Sequence, residues 1–277
     1  MNTSAETPLI METDDLAGVL AMPDLCLVDL SDAEHYLAGH IPGAVHLSFS
    51  RLLRARPPIM GLLPDAESLS ETLSAIGLQR RDHVVAYDNT GGGRASRLLW
   101  TLDVIGHPRF SLLNGGIAAW RAEGRPLEGG EVEPTASDYA VAIPACPDAR
   151  ADKAFLLEHL GRPQLRVLDA RSTGEYLGDD VRSARGGHIP GARHLEWTEL
   201  LDPDNHGRLR DSDTLKAMLL ERDVRPEHEI VTHCQTHHRS ALNWLVLRAL
   251  GYPRVRGYDG SWSEWGNDPD TPITGDR

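Results

Sequence analysis

The chain has 277 residues, 40% of them hydrophobic and 25% charged, with a formal net charge of −13; this suits one large or two ordinary soluble domains. The acidity speaks against a nucleic-acid partner or an anionic membrane surface, so an anionic substrate would need a local positive pocket. Three cysteines (Cys26, Cys146, Cys234) make no disulfide framework, MNTSAETPLI shows no secretory leader and no apolar run is of membrane-spanning length, so the chain is read as cytoplasmic.

In chain order, the first half reads as strand Leu25 to Leu30, helix Ala66 to Ile76, strand His83 to Tyr87 and helix Ala95 to Ile105. Gly124 to Asp148 holds several prolines and glycines and little helical periodicity, and reads as an ordered linker. The second half reads as helix Lys153 to Leu160, strand Arg166 to Asp169, helix Ser212 to Arg222, strand Glu229 to His233 and helix Ser240 to Leu250, with Gly251 just past its end. Strands alternating with helices predict an α/β fold in which a mostly parallel sheet is covered on both faces.

The halves repeat one another. GHIPGAVH (39–46) recurs as GHIPGARH (187–194), LCLVDL as LRVLDA, VVAYD (84–88) as IVTHC (230–234), and LNGGIAAW (113–120) as YDGSWSEW (258–265), all in the same order. The predicted organisation is a domain over 1–124, a linker over 125–148 and a second domain over 149–277. In parallel sheets ligands gather at the carboxyl ends of strands, which directs attention to Asp88 and Cys234, the residues just after Tyr87 and His233.

Cys234 opens the loop HCQTHHRS between a buried strand and a helix start. Such a loop aims several backbone N–H groups at one point, in a positive field. Arg239 adds a fixed charge, and His233, His237 and His238 would add more if protonated; all of these favour a thiolate. Three alternatives stand beside this reading: a buried structural thiol, a zinc site, for which no second ligand pair is evident, and a cysteine phosphatase or arsenate reductase. The last class places five residues between Cys and Arg, whereas four intervene here (Gln235, Thr236, His237, His238), a tighter cradle suited to a single sulfur. Cys26 lies in an apolar strand and Cys146 in the linker; both read as inert.

These segments, with the closing GSWSEW and its P-x-x-P-I tail, make the chain resemble the tandem-domain rhodanese family, the thiosulfate and 3-mercaptopyruvate sulfurtransferases, over almost its whole length. The loop is closest to bacterial thiosulfate sulfurtransferases with a His-rich active loop. The resemblance implies two rhodanese-like domains, with catalysis only in the second. Asp88 stands where the second half has Cys234 and is expected to accept loop hydrogen bonds; His40 and His188, present in both halves, are expected to be structural, and Trp262 to pack under the loop. The resemblance further implies Cys234 as the persulfide carrier and Arg171 as a contact to the donor, against the plainer reading of an ion pair with Glu175 four residues on. Gln235, Thr236, His237, His238 and Arg239 complete the expected substrate-binding loop.

Gln235-Thr236-His237 matches neither the Arg-Lys-Gly of animal thiosulfate enzymes nor the Gly-Ser-Gly of the mercaptopyruvate type, so the resemblance leaves the donor open between the two. The expected reaction is a ping-pong transfer from thiosulfate, with 3-mercaptopyruvate as the alternative donor, through a Cys234 persulfide to cyanide, a thiol or a protein acceptor, by a monomer with no cofactor and no metal. The rival from another class is a redox-sensing binding module.

Overall fold

The computed structural model describes residues 8–143 and 145–275. Its strands are β1 Ile10–Met11, β2 Leu25–Asp29, β3 Val45–His46, β4 Arg54–Arg56, β5 Ile59–Leu62, β6 His83–Tyr87, β7 Phe110–Leu113, β8 Arg150–Ala151, β9 Leu165–Asp169, β10 Arg193–His194, β11 Leu201–Asp202, β12 Arg208–Leu209, β13 Glu229–His233 and β14 Val255–Tyr258. The α-helices are α1 Thr13–Val19, α2 Ala33–Ala38, α3 Ala66–Ala75, α4 Gly93–Val104, α5 Gly116–Ala122, α6 Lys153–His159, α7 Thr173–Leu177, α8 Ser212–Glu221, α9 Arg239–Ala249 and α10 Ser261–Trp265.

Two five-stranded sheets form, in the orders β1-β7-β6-β2-β3 and β8-β14-β13-β9-β10. The two orders correspond strand for strand, and every pairing within them is parallel. The middle strands, β6 and β13, are buried after their first residue, as strands covered on both faces must be. Register sets Asp169 beside His233 at the carboxyl ends of β9 and β13, so the loop after β13 opens at the ligand-binding edge of its sheet.

Each half also carries a short antiparallel hairpin, β4–β5 and β11–β12. The hairpins reach across to the opposite half. A methyl added at Gly61 in β5 would meet the Thr236 carbonyl oxygen at 2.6 Å, and one added at Gly91 would meet Leu201 at 2.9 Å. The helices α4 and α9 lie against each other between the sheets, and one apolar cluster runs through both halves, with Leu98, Leu99 and Trp100 joined to Leu242, Trp244 and Leu245. Helices buried nearly all round, as these two are, belong inside a layered structure.

The segment expected as linker is laid along α3. Ser70 and Ser74, one turn apart on that helix, accept through their hydroxyls from the Val141 and Tyr139 N–H groups at 3.0 and 2.9 Å. No helix among the described residues is long and apolar enough to cross a membrane.

Candidate active site

Cys234 follows β13 directly and has no exposed surface. Its loop is held from below by α10: the Trp262 N–H donates to the Cys234 carbonyl at 2.9 Å and the Ser263 N–H to the Gln235 carbonyl at 3.0 Å. Trp262 is buried, as expected of a residue under the loop. The loop closes onto α9 through His237, which adopts the left-handed φ of +57°, an uncommon conformation for a side-chain-bearing residue. The imidazole of His237 is fully buried, hydrogen-bonds the Ser240 hydroxyl at 2.8 Å and sets its edge against Trp100 of the first half. Gly257 in β14 makes room for it, since a methyl there would lie 2.1 Å from His237 Nε2.

Burial alone disfavours a thiolate, yet the Cys234 thiol is held below its ordinary range. The Arg239 charge outweighs burial, together with the Ser240 hydroxyl and the N–H groups of Ser240 and Thr236. Arg239 is itself pinned: its two terminal nitrogens donate to the Glu175 carboxylate at 2.6 and 2.9 Å. Glu175 is buried, which opposes its charge, but Arg239 and the N-cap Ser172 bring its carboxyl down to about 2. Ser172 and Glu175 close a capping box at the start of α7.

The charge that His233, His237 and His238 would add if protonated is not present: burial pushes all three below their usual range, His238 to about 4, so the loop's imidazoles are neutral at pH 7. Arg171 was read as a donor contact. Its guanidinium is buried, paired with Asp169 at 2.6 Å, donating to the Gly187 carbonyl at 2.8 Å and stacked over Trp262 at 4.2 Å. The physical reason is Asp169, a carboxylate with no exposed surface, which needs a cation on the spot. The ion pair of Arg171 with Glu175 is likewise absent, because Glu175 is taken by Arg239.

Of the other expected residues, Gln235 donates from its side-chain amide to the Arg182 carbonyl and the Ser183 hydroxyl, both at 3.2 Å. The Thr236 hydroxyl meets His238 Nδ1 at 3.1 Å, and His238 lies edge-on to Phe49 of the first half. The loop imidazoles thus point to Ser240, to Thr236 and toward Asp169. No group of three or more His, Cys, Asp or Glu side chains among the described residues could hold a metal ion. Cys26 is buried, its thiol pushed up to about 12 by desolvation, and Cys146 is an exposed free thiol.

The first half supplies a direct comparison. The Asp88 carboxylate sits inside its own loop and accepts from the N–H groups of Thr90, Gly92 and Ala95 at 2.8, 2.9 and 3.0 Å and from the Thr90 hydroxyl at 3.2 Å. The same turn of chain therefore gathers N–H groups around a carboxylate in one half and around a thiol in the other. His40 and His188 stack on Tyr36 and Tyr176 in matching fashion and hydrogen-bond the same tyrosines' carbonyls, both at 2.9 Å, which makes them structural.

Sequence reasoning missed Glu175 as the partner of Arg239, the two crossing hairpins, and Arg97. The last is a buried arginine of α4 whose guanidinium reaches the Cys234 loop. A signal for it was present: three residues after the loop arginine, the first half has Arg97 where the second has Leu242.

A family model described as Rhodanese-like domain matches residues 12–123 and 152–268. The chain is similar to the thiosulfate sulfurtransferase of Azotobacter vinelandii, 46% identical over 273 residues that cover 99% of each chain. It is also similar to the thiosulfate sulfurtransferase of Pseudomonas aeruginosa, 43% identical with 99% of both covered. Among solved structures, the Tum1 protein from Saccharomyces cerevisiae superposes with a TM-score of 0.85 over 99% of this chain and 100% of that one, at 23% identity.

Proposed function

The chain belongs to the tandem-domain rhodanese family, and on that footing we propose that it is a thiosulfate sulfurtransferase carrying the transferred sulfur on Cys234. The observation that supports this most is the Cys234 cradle: a buried thiol drawn toward its anion by Arg239, by the Ser240 hydroxyl and by loop N–H groups, in a loop whose counterpart holds a carboxylate.

The Cys234 thiolate attacks the outer sulfur of thiosulfate. A bond forms between Sγ and that sulfur, the sulfur–sulfur bond of the donor breaks, and its electron pair leaves with sulfite. The carried sulfur keeps a single negative charge as the persulfide. A nucleophilic acceptor such as cyanide then takes the outer sulfur, and the electron pair of the persulfide bond returns to Sγ as the thiolate. Arg239 is the side-chain cation at the sulfur, and Arg182, half exposed and 3.6 Å from Glu175, offers a second at the rim for the donor's oxygens. Gln235, Thr236, His237 and His238 shape the loop as neutral groups. Arg171 and Asp169 support it from beneath.

Residues 1–124 act as the non-catalytic domain, 125–148 as the connection and 149–277 as the catalytic domain. A carboxylate at position 88 cannot accept a sulfur atom.

The test is the intact mass after incubation with thiosulfate and again after cyanide. One sulfur atom gained, lost on cyanide addition and never gained by Cys234→Ser, is expected; Cys26 and Cys146 remain in that variant as internal controls. Sulfur uptake that survives Cys234→Ser overturns the assignment.

A further inference from the structure

Arg97 lies in α4 of the half that has no catalytic cysteine and has no exposed surface. Its guanidinium forms no ion pair within 4 Å among the described residues. It donates instead to four backbone carbonyls: Leu52 at 3.4 Å and Gly61 at 2.9 Å in its own half, Thr236 at 3.2 Å and His237 at 3.4 Å in the Cys234 loop. Trp100 lies under it, 4.7 Å from guanidinium carbon to ring centre. An arginine buried without a directly bound carboxylate is costly, and the equivalent place in the other half is filled by Leu242, which packs beside Gly92 of the opposite loop. Packing at this interface is thus met by an apolar side chain in one of its two versions, so the charge in the other calls for a separate reason.

We propose that Arg97 is a positioning residue for the sulfur-transfer loop, contributed by the non-catalytic half. It holds the Thr236 and His237 carbonyls on its own side and sets a second buried cation near Sγ. In a trans peptide the carbonyl and the following N–H point in opposite directions. Anchoring those two carbonyls therefore fixes the His237 and His238 N–H groups facing away from Arg97, and it steadies the left-handed turn at His237. The proposal rests on Cys234 being the sulfur carrier.

The charged and titratable surroundings are few. Arg239 faces Cys234 from α9 with Glu175 behind it; His233, His237 and His238 are neutral; Asp169 lies beyond His233; Arg94 acts on His238 from α4; and Asp259 and Arg150 are the other charges that act on Arg97 besides Cys234. A change in Cys234 reactivity on altering Arg97 alone is therefore traceable to Arg97.

The experiment compares the pH dependence of Cys234 alkylation by iodoacetamide, and kcat and KM for thiosulfate, in the full-length wild type, Arg97→Met and Arg97→Lys, in a background with Cys146→Ser. Arg97→Met is expected to raise the alkylation midpoint by about one pH unit, slow alkylation about tenfold at neutral pH, and lower kcat more than it raises KM. Arg97→Lys, which keeps a cation and three donors, is expected to recover most of the midpoint but only part of kcat. If Arg97→Met does not fold, Gly61→Ala probes the same contact, because its methyl forces the hairpin and the Thr236 carbonyl apart. Wild-type midpoints and kcat in the folded variants overturn the inference. Failure of the wild type to take up sulfur overturns instead the reading on which it rests.

Discussion

Replacing Arg239 by Met removes the charge that counters burial at Cys234 and leaves the buried Glu175 carboxylate with only the half-exposed Arg182, 3.6 Å away. The guanidinium and carboxylate meet at 2.6 and 2.9 Å, with side-chain exposures of 13% and 1%. At an effective dielectric of about 20 that geometry carries roughly 5 kcal/mol of gross attraction, and breaking such a pair from one side costs about 3–5 kcal/mol. The second substitution, Glu175→Gln, removes that carboxylate's charge while keeping a side chain that can close the capping box. The double variant should therefore regain most of the stability lost by Arg239→Met. Its Cys234 should stay as poorly reactive as in the single variant, about tenfold slower to alkylate at neutral pH. Denaturant unfolding reads the first quantity and the alkylation rate the second. Restoration of reactivity along with stability would refute Arg239 as the source of the activated thiol; unrecovered stability would refute the pair as a unit.

Arg171→Met should lower stability by about 3–5 kcal/mol through the uncompensated Asp169 while leaving KM for thiosulfate unchanged in the folded fraction; a raised KM would restore Arg171 to the donor site. Asp88→Asn replaces a carboxylate that accepts four hydrogen bonds and should cost about 1–3 kcal/mol with no loss of sulfur transfer, checked by thermal unfolding beside turnover. The buried histidines set an acid limit. Their folded pKa values are depressed below the unfolded value of about 6.5, so the unfolded chain binds protons that the folded chain refuses. Stability should be intact above pH 6.5 and fall as pH drops below it, for His238 down to about pH 4, by up to about 1.4 kcal/mol per pH unit for each group; a denaturation midpoint that is flat from pH 6.5 to 4 would contradict their burial as neutral rings.

The repeat made the fold legible, because each long strand and helix occurs twice with its apolar pattern intact: His83–Tyr87 and Glu229–His233 are found where they were expected. The two-residue strands at the sheet edges and the hairpins Arg54–Leu62 and Leu201–Leu209 were not legible. Such short segments are strands by virtue of their neighbours and carry no period of their own. At the site, Cys234 and Arg239 could be read from spacing along one loop. The partners of each arginine could not, since Glu175 and Arg97 reach the loop across 64 and 139 residues of chain. The protonation of the histidines was not legible for a related reason: charge depends on depth, and their type alone says nothing of burial.

The pairing of Asp88 with Cys234 has a further consequence for what loading entails. A thiolate and a persulfide carry the same charge, so once Cys234 is in its attacking form the second loop surrounds one negative charge before and after it takes on sulfur, in the same kind of cradle that holds the Asp88 carboxylate in the first. Loading then requires no rearrangement of counter-charges and no proton uptake at the sulfur; what the pocket must accommodate is one more atom's worth of volume. The cradle that draws Cys234 toward its thiolate is thus the one its intermediate needs, and acceptors are left to compete on nucleophilicity and fit.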